Sequence, residues 1–298
     1  MNSLLSSTSS LLNQRLALHP LFNLNTVSLV ALKSYLSKTE RLPPVHQLSF
    51  VIDGPAATGK SEISKGVSKK LGFNWVDSQA IYRALLLKCR YNNLEVSPAN
   101  AVKISELAKN TEFDFIYEKD DDSYKVLMDD KDVTKQINDC EIPDKDVLNA
   151  LSIPEITEAM KNKQRRLVYI NEERMRKELE KEGEDVKNKS PKIYCTLLEG
   201  RAAGKNVFDD AHLIFNLKAD FNVRVERRFK ELNGKKTKEQ ISNELKENET
   251  KFKELTTPIK RALTINTTDL NKEEQIETIG FLVKDRIKRY FDNIGPMY

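Results

Sequence analysis

The chain has 298 residues, 39% hydrophobic and 32% charged, which suits a folded domain with a sizeable core. Its 49 basic residues face 45 acidic ones, and a net charge of only +4 leaves no polyanion footprint from which to argue nucleic-acid binding. There is no run of eighteen apolar residues, so no transmembrane helix is expected. Cys89, Cys140 and Cys195 lack metal-ligand spacing and read as unpaired thiols in a reducing compartment.

Residues 1–38 contain no Asp or Glu, carry Arg15, Lys33 and Lys38, and are rich in serine and leucine. A basic, acid-free, serine-rich start reads as an organelle-targeting segment, mitochondrial (matrix) with a plastid as the alternative. Pro43-Pro44 marks the linker, so residues 1–44 are read as targeting segment and linker and 45–298 as the folded domain.

Gln47 to Asp53 is a short apolar run that stops at a glycine and predicts a buried strand. Ser61 to Leu71 has helical spacing and Gly72 as its stop. A strand is expected over 73–76, and helices over 80–91 and 99–110. Phe113 to Tyr117 and Tyr124 to Met128 alternate apolar and polar residues and predict a β-hairpin. A helical pattern broken near Pro154 runs from 146 to 182 and becomes strongly charged after Arg165. Strands follow at 192–198, 212–218 and 263–266, with helices at 223–232, 235–253 and 272–291. Strands alternating with helices imply an α/β fold, a parallel sheet with helices on both faces.

The first strand runs into Gly54, Pro55, Ala56, Ala57, Thr58, Gly59, Lys60 and Ser61, then a helix. This is G-x-x-x-x-G-K-S/T in its required strand–loop–helix setting. The glycines let the backbone wrap with its N–H groups inward, at the positive end of a helix. Lys60 is expected to reach the β- and γ-phosphates of ATP, and the Ser61 hydroxyl to sit on Mg²⁺. This P-loop alone does not choose between a kinase, a GTPase and a motor.

The next segment does. Leu71 to Arg83, LGFNWVDSQAIYR, resembles the cytidylate kinase run L-G-F-x-x-x-D-S/T-G-A-x-Y-R. Further segments resemble that family in order: Asp132-Val133-Thr134 to Ile137, Pro154 to Gln164-Arg165, Glu199-Gly200-Arg201 to Ala211, Arg224 to Arg228, and Ala262 to Thr268. The resemblance implies the P-loop nucleoside monophosphate kinase fold with a small β-containing acceptor-binding insert (about 96–165), a charged insertion (about 166–191) and a lid (about 233–256). It implies that Asp77, Ser78, Arg83 and Arg201 line the acceptor site, that Lys60, Arg83, Arg201, Arg227 and Arg228 supply catalytic charge, and that Glu199 joins Ser61 at Mg²⁺. Arginine suits phosphate because its fork binds two oxygens at once.

The sequence also departs from that pattern. Asn138 and Thr157 stand where the family has arginine, Ala202 and Asn266 where it has aspartate, and residues 248–255 contain no arginine in the lid. Three functional expectations stay open. One is ATP-dependent phosphorylation of a pyrimidine nucleoside monophosphate. Another is a catalytically impaired, nucleotide-binding structural subunit of a mitochondrial assembly, with protein partners. The third is a kinase for a different acceptor.

Overall fold

The computed structural model describes residues 45–118, 120–139, 142–169 and 192–294. The expected targeting segment, most of the charged insertion and Cys140 lie outside them. In the described part, β1 (Val45–Asp53) leads through the glycine loop into α1 (Lys60–Leu71). Then come β2 (Asn74–Asp77) and α2 (Ser78–Tyr91). β1 is covered on both faces, which is why Ser49, Phe50, Val51 and Ile52 are all buried in succession rather than alternately.

After α2, Pro98 opens one 3₁₀ turn (Pro98–Asn100) before α3 (Ala101–Asn110), so the helix starts later than its spacing predicts. Proline's missing N–H suits the first position of a turn. The hairpin forms as β3 (Phe113–Glu118) and β4 (Ser123–Met128), with a short third strand, β5 (Lys131–Asp132), closing an antiparallel sheet. Trp75 of β2 anchors this sheet. Its ring meets Phe115 and Tyr117 edge-on at 5.3 Å and Tyr124 at 5.7 Å.

A short helix, α4 (Thr134–Asp139), follows β5. Thr134 turns the chain at that point. Its N–H donates to Asp132 Oδ1 at 2.9 Å, and its hydroxyl accepts from the Val126 N–H at 2.8 Å. The broken helical pattern resolves into α5 (Asp144–Leu151) and α6 (Pro154–Val168). β6 (Lys192–Glu199), the one-turn α7 (Ala203–Asn206), β7 (Leu213–Lys218) and α8 (Phe221–Glu231) follow. The expected lid region holds α9 (Lys238–Lys251), started by a Thr237/Gln240 capping box, and the short α10 (Lys253–Thr256). β8 (Leu263–Asn266) and α11 (Lys272–Ile294) complete the described chain.

The main sheet runs β2-β6-β1-β7-β8 and every pairing is parallel. Helices flank it, with α1 against β1, β2 and β6, and α7 against β1. Asp53, Asp77, Glu199, Lys218 and Asn266 therefore stand at the carboxyl ends of their strands, the edge where open α/β sheets bind ligands.

Candidate active site

The glycine loop starts where β1 leaves the sheet. Gly54 has φ +143°, and a Cβ there would meet the Leu217 carbonyl oxygen at 2.5 Å, so no side chain fits. Gly59, in the left-handed region, caps α1. Lys60 is only 8% exposed and folds back over the loop, donating to the Pro55 carbonyl at 2.8 Å. The Thr58 hydroxyl donates to the same carbonyl at 3.0 Å. The first turn of a helix has N–H groups with no intrahelical partner, and the first donor here to find a carbonyl is Ile63, bonding Gly59 at 3.0 Å. The loop thus presents free amides, a helix N-terminus and a lysine at one point, an arrangement suited to phosphate.

Asp77 and Glu199 are register partners on β2 and β6, which sets two carboxylates side by side. Asp77 caps α2 by accepting from the Gln79 N–H at 2.7 Å and the Ala80 N–H at 3.2 Å. Glu199 is 2% exposed and its Oε2 is buried without a hydrogen-bond partner. Burial, then the nearby Asp77 charge, pushes the Glu199 carboxyl up to about 8, against the pull of the Ser61 hydroxyl and Lys60. Burial likewise lowers the Lys60 ammonium to about 8, with Arg201 adding to the effect. Ser78 donates to Gln164 Oε1, which ties α2 to α6. Gly200 makes this packing possible, since a Cβ on it would come within 2.9 Å of the Ser78 Cβ.

Three of the arginines singled out in the sequence converge on one carboxylate that the sequence did not single out, Asp144 at the start of α5. Arg83 Nη2 lies 2.8 Å from Asp144 Oδ1, while Arg201 Nη2 and Arg228 Nη2 lie 3.0 and 3.5 Å from Oδ2. Burial would raise the Asp144 carboxyl, yet Arg201, Arg83 and Arg228 together hold it below the usual carboxylate range. Arg201 is placed by the turn after β6, which Asp53 pins by accepting from the Ala203 and Gly204 N–H groups at 3.1 and 2.9 Å.

Arg227 goes elsewhere. Its guanidinium donates to the Thr267 hydroxyl at 3.1 Å and the Thr267 carbonyl at 2.6 Å, and the Thr267 hydroxyl shares its proton between the Lys218 carbonyl at 3.2 Å and the Thr58 carbonyl of the loop at 3.3 Å. Arg227 thus braces the glycine loop from behind. Arg165 grips Asp210 with both amino groups, at 2.9 and 2.6 Å, joining α6 to the turn before β7.

The positions that depart from the family pattern make local bonds. Asn138 accepts from the Tyr124 hydroxyl at 3.3 Å, Thr157 donates to the Pro154 carbonyl at 2.9 Å, and Asn266 accepts from the Thr268 hydroxyl at 2.8 Å. Among basic residues near the lid, Lys251 donates to Asn149 at 3.4 Å, and Arg261 donates to the Ala211 carbonyl at the far end of the sheet. In the expected lid region, Ile241 and Leu245 pack with Val225 of α8 and with Ala56 of the glycine loop, and Glu249 pairs with Arg224.

The residues present fit a magnesium–nucleotide complex. No cluster of three or more His, Cys, Asp or Glu suited to a metal occurs among the described residues. Mg²⁺ typically takes one or two carboxylates and completes its shell with phosphate and water. The orphaned Oε2 of Glu199, close to Ser61, would serve as such a ligand. A pH dependence follows for metal-free ADP. Burial pushes Lys60 down and Glu199 up, so the Lys60–Glu199 pair sheds its protons together as pH rises, and each proton lost makes the site less attractive to phosphate. ADP affinity measured by calorimetry in chelator is expected to fall from pH 7.5 to 9.5, and the gain from added Mg²⁺ to grow over the same range. A flat profile contradicts this assignment.

The cytidylate kinase family matches this sequence over residues 50–185 and 169–285. The cytidylate kinase of Caldanaerobacter subterraneus subsp. tengcongensis is 30% identical over 249 residues, covering 81% of this chain and 96% of that protein. The cytidylate kinase of Clostridioides difficile is 30% identical over 239 residues, with 78% and 96% covered. That of a Thermotoga species (strain RQ2) is 31% identical over 245 residues, with 80% and 97% covered.

Proposed function

The chain belongs to the cytidylate kinase family, and from that premise we propose that it transfers the γ-phosphoryl group of ATP to a pyrimidine nucleoside monophosphate. The observation that carries the reading is the meeting of Arg83, Arg201 and Arg228 at the same strand ends as the glycine loop and Lys60. Phosphoryl transfer asks a protein for positioning and charge and little else. The loop amides and Lys60 hold the donor phosphates. The arginine group faces the acceptor phosphate, one of whose oxygens attacks the γ-phosphorus as ADP leaves. Ser61 and Glu199 would hold Mg²⁺, which when bound neutralises charge on the phosphate oxygens. Trp75 fixes the small sheet beside Asp77 and Ser78, where the acceptor nucleoside would lie.

Turnover is expected to be slow. Residues 233–256 contain no arginine, and Asn138 and Thr157 are engaged in local bonds. A coupled assay with ATP and a panel of nucleoside monophosphates is the test. CMP or dCMP is expected to be the preferred acceptor, at a rate well below that of a full set of arginines. The arginine-free lid also favours a second reading, in which the protein retains nucleotide as a structural subunit of a mitochondrial assembly, imported through residues 1–38. Absence of turnover with every acceptor, together with tight ADP binding, would decide for it.

A further inference from the structure

We propose that Asp144 is a resident counter-anion seated where the acceptor's phosphate binds, and that a phosphoryl group must displace it. The inference rests on reading this cleft as the acceptor side of the site. Three guanidinium Nη2 groups from α2, the turn after β6 and α8 point at its two carboxylate oxygens. Convergent guanidinium groups form an oxyanion seat, and carboxylate and phosphate are alternative occupants of it. Asp144 fits the seat incompletely. Both its oxygens are engaged, yet Arg201, 6% exposed, still has a buried Nε with no hydrogen-bond partner. Arg228 is also balanced by Glu231, whose Oε2 lies 2.9 Å from its Nη1, but Arg83 and Arg201 share the one Asp144 carboxylate, so positive charge remains in excess. A phosphoryl group brings a third oxygen and more negative charge, and so meets both deficits.

Asp144 is placed to leave. It is the first residue of α5, directly after Pro143, and its side chain is 22% exposed while Arg201 beneath is 6% exposed. Rotation of the side chain takes the carboxylate toward solvent, still beside the N-terminal amides of its own helix, where an anion is favoured. Asp144 therefore raises the threshold for acceptor binding and favours dianionic phosphate over weaker anions.

The test uses the full chain saturated with ADP, titrated calorimetrically with inorganic phosphate and separately with CMP. Asp144→Asn is expected to tighten inorganic phosphate by about tenfold or more, and to lower KM for CMP with little change in kcat. The gain is expected to vanish in the Asp144→Asn, Arg83→Gln double variant, which places it at this seat. Unchanged or weaker phosphate binding in an Asp144→Asn protein with wild-type melting and ADP affinity overturns the proposal, because it makes Asp144 a support for the arginines. If Asp144→Asn does not fold, Asp144→Ser is judged by the same criteria. Tighter phosphate without CMP binding in any variant keeps this inference and removes the proposed acceptor. CMP turnover by wild type without the phosphate gain does the reverse.

Discussion

Replacing Lys60 with alanine is expected to lower kcat/KM for ATP-driven transfer by about 10³-fold or more, the scale of losing a transition-state charge in phosphoryl transfer. Lys60 follows Gly59 directly and is held over the loop by the Pro55 carbonyl. Its ammonium is buried, which makes each interaction with a phosphate stronger than it would be in water. Stability is expected to move the other way. Burial lowers the folded-state pKa of Lys60 to about 8 from an ordinary value of 10.5. Between those values the unfolded chain binds more protons, so the cost of the buried charge is full below about pH 8 and disappears as pH rises past 10.5. At pH 7 the variant escapes this cost, and its melting temperature without nucleotide is expected to match or exceed wild type. Loss of activity with a clearly lowered melting temperature would instead show that Lys60 holds the loop together.

The glycine-loop half of the candidate site was legible because its residues are consecutive. A strand, a glycine loop and a helix in register set the positions of Gly54 to Ser61 without help from distant chain. The arginine cluster depends on contacts between distant segments. Asp144 lies 61 residues from Arg83 and 57 from Arg201, and nothing in the local run IPDKD distinguishes it from an acid that favours a helix start. The small sheet shows the same limit. The alternation in 113–128 predicts the hairpin, but the turn at Thr134 depends on its hydroxyl reaching Val126, which no periodicity reports.

Arg227 and Arg228 give the sharpest case, since the family motif assigns them one role. Neighbours on a helix point about 100° apart. Arg228 thus reaches Asp144, and Arg227 reaches Thr267 behind the glycine loop. Replacing Arg201 with alanine is expected to cost on the order of 10³ in kcat/KM, with ADP affinity and melting nearly unchanged. Its guanidinium faces Asp144, where the acceptor phosphate is proposed to bind, and the turn that carries it is held independently by Asp53. Arg201→Lys is expected to recover only part of the loss, because a point charge lacks the fork. Arg227→Ala is expected to behave differently, weakening ADP binding and lowering the melting temperature together. It removes two hydrogen bonds that brace Thr267, and Thr267 bonds the Thr58 carbonyl in the loop. The cost to stability is expected at about 1–3 kcal/mol, the range for leaving buried polar groups unpaired. Thermal melting and ADP calorimetry on both variants separate the roles. An Arg227→Ala protein that melts and binds ADP like wild type, yet loses transfer as Arg201→Ala does, would move Arg227 from the support of the loop to the chemistry itself.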